Sequence, residues 1–290
     1  MIARAEPPPP APPPAPPPAP APPQPTPPVP PEPQPAPPQV AAPAPAPSLA
    51  PAPFPAGAEA PAAPAVAFEW PPSTRLSYTL VGNFRGPVEG TARVEWLRQG
   101  SRYQVHLEVL LGPSFAPLVR RRMSSDGEIT PQGLGPQRYE EETRVPLSAT
   151  RRRVVTFDAA RVVLNGGREV PTLPGVQDTA SQFVQLTWLF TTQSQRLQPG
   201  QTIVMPLALP HRVDRWLYDV VGQETVESPV GRIPTYHVKP RRENRQGDEL
   251  SIEGWFAPTL QYLPVRIMIR QDDQTWADLT LQRLPQQAER

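Results

Sequence analysis

Residues 103–109 read YQVHLEV, and every second residue is apolar. Successive side chains of a β-strand point to opposite faces, so this period of two predicts a strand with one buried face and one wet face. Half-buried strands are typical of antiparallel sheets, because parallel sheets are usually covered on both faces and have near-continuous apolar strands. The stretch therefore predicts an antiparallel sheet.

The same alternation recurs through the chain from residue 68 onward. It is present in residues 76–80, 92–96, 155–157, 162–164, 216–220, 263–269 and 277–281. Turn-forming residues separate these segments, including Gln99-Gly100, Ser125-Asp126-Gly127 and Asn165-Gly166-Gly167, which we interpret as turns. We therefore predict a mainly β fold of about ten strands, arranged as a curved antiparallel sheet or half-open barrel.

One segment has the period of a helix instead. Between residues 178 and 197, apolar residues including Phe183 and Leu186 recur at intervals of three and four. Asp178 can cap the first turn, and Pro199-Gly200 stops the segment. We predict one α-helix over about residues 178–197, gripped by the sheet.

The first 67 residues have a different composition. They are almost entirely proline and alanine, which cannot build a core and favour an extended polyproline conformation. We predict a disordered arm over residues 1–67 and a single antiparallel β-rich domain over residues 68–290. The arm is interpreted as a spacer that holds the domain away from a membrane, or alternatively as a leader with no such role.

Composition limits the compartment, the partners and the chemistry. The formal net charge of +1 argues against a nucleic-acid partner, and the absence of cysteine excludes disulfides, thiol catalysis and cysteine-ligated zinc. Residues 1–5, MIARA, contain no apolar segment, so we expect a signal or membrane anchor to lie outside this chain. The predicted location is the periplasm, with anchoring at the inner membrane through that missing segment.

Several bulky residues are candidates for binding an apolar ligand. They are Trp96, Tyr103, Phe183, Leu186, Trp216 and Tyr218. A half-barrel that holds one helix has a concave face, and we predict that this face binds a lipid or an acyl chain. The alternative is an envelope scaffold with a solid core, which docks another envelope protein on a sheet edge or an arginine-rich face.

Enzymatic function is not expected, and no catalytic residue, cofactor or metal site is predicted. His106, His211 and His237 have no second ligand at metal-binding spacing. A hydrolase remains the weakest alternative, and it would require two carboxylates or a serine–histidine pair converging in a polar cleft. Arginine runs at residues 120–122, 151–153 and 241–242 are candidates for contacting lipid headgroups, nucleic acid or acidic glycans. Glu140–Glu142 is interpreted as a solvated strand edge or loop.

Three groups of motifs resemble those of domain-of-unknown-function family 3108, a set of exported bacterial proteins. They are residues 125–139 (SDGEIT, then GLGP and RY), residues 177–183 (QDTASQF) and residues 253–266 (EGWFAP, then LPVR). The resemblance covers about residues 76–284. It implies an exported, envelope-associated β-rich domain, frequently preceded by an apolar segment and a proline-rich stretch, and it implies no catalytic residues.

Overall fold

A computed structural model of the chain describes residues 71–84, 86–113, 115–241 and 251–288, and the structural statements below refer to these residues. The predicted arm, residues 1–67, lies outside them. No helix in these ranges combines the length and the apolar character needed to cross a membrane.

The described chain is mainly β, as predicted. The strands are β1 (Ser73–Phe84), β2 (Pro87–Gln99), β3 (Arg102–Leu111), β4 (Val119–Thr130), β5 (Gly133–Arg144), β6 (Arg151–Phe157), β7 (Arg161–Val163), β8 (Glu169–Pro171), β9 (Gln177–Asp178), β10 (Thr202–Leu209), β11 (Arg212–Ser228), β12 (Gly231–Pro240), β13 (Ser251–Ala257), β14 (Leu263–Arg270), β15 (Thr275–Leu281) and β16 (Gln286–Gln287). There is one α-helix, α1 (Gln182–Thr192), and there are two short 3₁₀ turns, Ser194–Arg196 and Pro258–Leu260.

The strands form one continuous sheet whose ends do not pair with each other. Its order is β8-β7-β6-β5-β4-β3-β2-β1-β15-β14-β13-β12-β11-β10-β9, and β16 pairs with β1. Neighbouring strands are antiparallel except for β9, which runs parallel to β10. The two ends of the sheet nevertheless approach each other, because the Asn165 amide donates a hydrogen bond to the Pro210 carbonyl at 2.9 Å. The curved, half-open barrel predicted from the sequence is confirmed.

The period of two in the sequence corresponds to the inner and outer faces of this sheet. Leu76, Tyr78 and Leu80 of β1 are at most 2 % exposed, and Tyr103 and Val105 of β3 are at most 4 % exposed. Helix α1 lies against the inner face, where Leu186 and Phe190 are completely buried. Both the sheet and the helix bury apolar side chains in this interior. Each Å² of apolar surface removed from water contributes about 25 cal/mol, so this interior is the main stabilising feature of the fold.

The helix is shorter than predicted at both ends. Asp178 belongs to β9, and its carboxylate accepts hydrogen bonds from the amides of Ala180 and Ser181, which forms a turn before the helix begins at Gln182. At the other end, Gln193 has φ −139°, so the helical hydrogen bonds stop there. The apolar periodicity continued to Leu197 because that side chain is also buried, although it is not part of the helix.

Two local interpretations were wrong. Residues 125–127 do not form a turn but lie inside β4, where the register shifts at Asp126/Gly127 as in a β-bulge. A Cβ atom at Gly127 would lie 2.2 Å from the carbonyl oxygen of Gly135, so glycine is required there by the close approach of β5. Glu140–Glu142 is likewise not an edge or loop, because it lies within β5 between β4 and β6.

Candidate functional site

A small void lies at the contact between sheet and helix. It is lined by Trp96, Phe183, Val184 and Ile267, among others, and its volume is about 10 Å³. A cavity needs roughly 10–15 Å³ to hold one water molecule. An acyl chain therefore has no space at this position in the observed arrangement.

The six residues predicted to bind an apolar ligand are distributed over the core. Trp96, Tyr103, Leu186 and Tyr218 are at most 4 % exposed, whereas Phe183 and Trp216 are half-buried at the margin. Trp96 and Phe183 border the same small void. Leu186 and Tyr218 belong to a separate apolar cluster. The structure thus does not bring all six together around one cavity, and their role in ligand binding stays a prediction.

A buried polar network attaches the helix start to β4. The Tyr103 hydroxyl lies 3.1 Å from Ser125 Oγ, and Ser125 Oγ donates to Asp178 Oδ2 at 2.6 Å. The other oxygen, Asp178 Oδ1, accepts from the amides of Ala180 and Ser181 at 2.8 and 2.9 Å. Burial raises the pKa of the Asp178 carboxyl from 3.8 to about 6, although these hydrogen bonds act in the opposite direction. The carboxylate occupies the amides that an anion would use, so this turn is a structural cap.

Two glutamines extend this attachment to β5. Gln177 Nε2 donates to the Leu134 carbonyl at 2.8 Å, and Gln185 Oε1 accepts from the Leu134 amide at 2.7 Å. Gln185 Nε2 also donates to the Gln132 carbonyl at 3.0 Å. The helix is therefore held at the β4–β5 turn by side-chain bonds to the backbone, in addition to apolar packing.

The acidic and basic runs of the sequence neutralise each other across neighbouring strands. On the outer face, Glu108 accepts from Arg120 and Arg122, Glu140 pairs with Arg138 and Arg152, and Glu142 pairs with Arg144. The arginine runs are consequently not uniformly free to bind an anionic surface.

Glu141 points to the inner face and is the buried member of its run. It accepts hydrogen bonds from Tyr139, Arg121 and Arg153 at 3.0, 2.6 and 2.7 Å, and its side chain is 3 % exposed. Desolvation alone would raise the pKa of Glu141, but Arg121 and these hydrogen bonds outweigh it and hold the pKa below its ordinary value. Glu141 is thus an ionised group inside the sheet, compensated by three donors.

A groove of about 450 Å³ lies on the outer face of β2–β5, and we call it the β2–β5 groove. Its polar lining consists of Arg93, Glu95, His106, Glu108, Arg122, Ser124, Glu140, Glu142 and Arg144. The carboxylates are engaged by arginines, Glu95 by Arg75 and the others as described above. The side chains of Arg93 and His106 are both exposed, and neither side chain forms a hydrogen bond or ion pair within the described residues.

Strand register places a histidine beside a serine in this groove. Glu95 is paired with His106, His106 with Ser124, and Ser124 with Glu140. The side chains of His106 and Ser124 are not joined by a hydrogen bond in the described part of the chain. Backbone amides that stabilise an oxyanion have to be free of other hydrogen bonds. Around Ser124, strands β3, β4 and β5 pair on both sides, which consumes those amides in the sheet. The described residues around Ser124 thus show neither a side-chain bond to His106 nor free backbone amides.

His237 lies in different surroundings and does not share a site with His106. Its ring nitrogens each lie 2.9 Å from a carboxylate oxygen, one of Glu224 and one of Glu253, and its ring stacks on Trp255 at 4.2 Å. Among the described residues no group of histidine and acidic side chains is suited to hold a metal ion. Five strands separate β3 from β12 in the sheet order.

Neither the groove nor the polar network was identified from the sequence. Both depend on cross-strand register, which the alternation of residues does not specify. The available signal was the matched length of the runs at 120–122, 140–142 and 151–153, which in adjacent strands would form complementary pairs.

Comparison with known proteins identifies a family and a fold. The family model described as "Protein of unknown function (DUF3108)" matches residues 75–282. Among solved structures, the chain is similar to a β-barrel-like protein of domain of unknown function DUF1849 from Brucella abortus. The TM-score is 0.51 at 12 % sequence identity, and the match covers 75 % of this chain and 98 % of that one. No curated protein matches the chain.

Proposed function

The chain belongs to the DUF3108 family of proteins of unknown function, and from that premise we propose that it is a non-enzymatic cell-envelope protein that binds a partner protein through the β2–β5 groove. The observation that carries this proposal is the contrast between the two spaces. The interior void at the helix is about 10 Å³, whereas the groove on the outer face is about 450 Å³. The outer groove therefore offers a ligand far more room than the void beside the helix does.

The chemistry of the groove favours an acidic segment of a protein as the partner. Its carboxylates already bind arginines, so they offer little net attraction to a basic segment. Arg93 and His106 provide donors that other described residues do not use. A carboxylate of the partner would pair with Arg93, and such a charge-assisted bond is roughly twice as strong as a neutral one.

The proposed location is the periplasm. It is supported by the proline- and alanine-rich first 67 residues, which suit a spacer.

Site-specific photocrosslinking tests this proposal. A photoreactive residue placed at His106, in the full chain and in its native host, should give one discrete protein adduct. Arg93→Glu should remove that adduct, because it repels the expected carboxylate. The matched control is Arg232→Glu, at the distant β11–β12 turn, where Arg232 pairs with Glu227. Equal crosslinking in both variants would contradict the proposal.

A lipid or acyl chain in the concave face is the second candidate, favoured by the apolar lining of the void between Trp96 and Phe183. It requires the helix to move outward. Native mass spectrometry of the purified chain, followed by organic extraction, distinguishes the two. A co-purifying lipid that is lost in Phe183→Glu would support the lipid candidate, whereas a ligand-free mass supports binding at the groove.

A further inference from the structure

We infer that one end of the sheet contacts the surface of an anionic membrane. Three large apolar side chains are exposed there: Phe115 by 90 %, Leu118 by 59 % and Leu147 by 108 %. We call these three residues the loop-tip patch. Single exposed apolar residues are common on protein surfaces, but a cluster at one end marks an interaction site.

Strand register brings the three residues to the same place. Phe115 and Leu118 lie in the β3–β4 loop, and Leu147 lies in the β5–β6 loop. Arg120, just after the first loop, is directly paired with Arg144, just before the second. The helix is bound at the opposite ends of β4 and β5, near Gln132. The patch therefore does not cover the helix–sheet core.

The backbone conformation of Leu147 indicates that this residue has a role other than stabilising the fold. Its φ is 60°, in the left-handed region that bulky residues rarely adopt. Glycine or asparagine would adopt this conformation with less strain. A fully exposed leucine gains nothing from core packing, so its presence there is explained by contact with a second apolar phase.

Basic residues next to the patch select an anionic lipid surface as that phase. Arg120 shares the Glu108 carboxylate with Arg122, and Arg144 pairs with Glu142, so these three arginines and two glutamates keep one excess positive charge. Arg151 is paired with Thr143 in the sheet and has no ion-pair partner among the described residues. Apolar tips flanked by arginines are typical of segments that insert at the interface of anionic membranes.

The same charges argue against a second copy of the chain as the occupant. A symmetric dimer across the patch would bring two sets of these arginines together. Asp272 and Asp273 lie in the β14–β15 loop at the same end, but four strands away from β4. The contact is therefore confined to the part of this end formed by β3–β6.

Flotation of the full chain with phospholipid vesicles tests the inference. We expect binding to vesicles that contain equal parts phosphatidylglycerol and phosphatidylcholine, and much weaker binding to phosphatidylcholine alone. The double variant Phe115→Ser/Leu147→Ser should weaken binding at least about tenfold, because two apolar anchors are lost. Arg151→Gln should weaken binding to the anionic vesicles about fivefold and leave the residual binding to phosphatidylcholine unchanged.

Val204→Ser is the matched control, since Val204 is 47 % exposed on β10, outside the patch, and its loss should not change vesicle binding. Equal binding to both lipid compositions, or full binding by the double variant, would overturn the inference. A dimer in solution that the double variant abolishes would assign the patch to a second copy of the chain instead. The groove residues are intact in all these variants, so crosslinking at His106 reports separately on the proposed function.

Discussion

Replacing Asp178 by asparagine should change how the stability of the protein depends on pH. Burial raises the pKa of this carboxyl from 3.8 to about 6. A group whose pKa is raised on folding binds its proton more tightly in the native state. It therefore stabilises the fold fully below about pH 3.8, and this contribution is lost as the pH rises through about 6. Between pH 8 and pH 5 the wild type should gain about 1.4 kcal/mol from this group, since one pKa unit corresponds to about 1.36 kcal/mol.

Asparagine retains the Oδ1 acceptor for the amides of Ala180 and Ser181 but cannot titrate. Urea unfolding at several pH values, followed by tryptophan fluorescence, gives the free energy of unfolding of both proteins. The difference between wild type and Asp178→Asn isolates this group, because the other carboxylates are common to both. Asp273→Asn, at a site 95 % exposed, should give a difference that does not vary with pH. A constant difference for Asp178→Asn as well would refute the argument that this carboxylate is desolvated.

Three further substitutions test the packing of the sheet. Glu141→Gln should lower the free energy of unfolding by about 1–2 kcal/mol, because the buried carboxylate loses its charge-assisted hydrogen bonds while its arginine partners remain partly solvated, whereas Glu142→Gln on the outer face should cost under about 1 kcal/mol in urea unfolding. Gly127→Ala should lower the free energy of unfolding by about 1–3 kcal/mol, because the new Cβ would lie 2.2 Å from a backbone oxygen. Gly135→Ala is its control and should leave the free energy of unfolding nearly unchanged, because the nearest atoms there are 3.6 Å away. Leu186→Ala should lower the free energy of unfolding by about 2–5 kcal/mol, with a matching fall in thermal midpoint, because the side chain is completely buried.

The sheet was predictable because burial follows the pleat. Residues such as Val105 and Tyr103 point inward while Gln104 and His106 point outward, so the sequence itself separates the two faces. The presence of the helix could be predicted from the sequence, but its length could not. Its first predicted residue, Asp178, satisfies amides through its side chain, and this option competes with helical bonding wherever aspartate precedes a helix.

The charged surface was not predictable, because it depends on which strands are neighbours. Glu140 and Arg152 are 12 residues apart in the chain, and only the pairing of β5 with β6 makes them partners. The motif at residues 125–127 was misread for a related reason. Aspartate followed by glycine is typical of turns, but here glycine is present because two backbones approach closely, which depends on tertiary structure.

The motifs that carry the family resemblance converge on the helix. Ser125 of the first motif bonds Asp178 of the second, and Phe256 of the third packs edge-on against Phe190 of α1 at 4.9 Å. The unpaired groove residues Arg93 and His106 belong to none of these motifs. The quoted motifs therefore describe how the helix is held in the sheet, and they carry no information about what the groove binds. For that reason a partner has to be sought from the groove of this chain itself, and the family alone does not supply one.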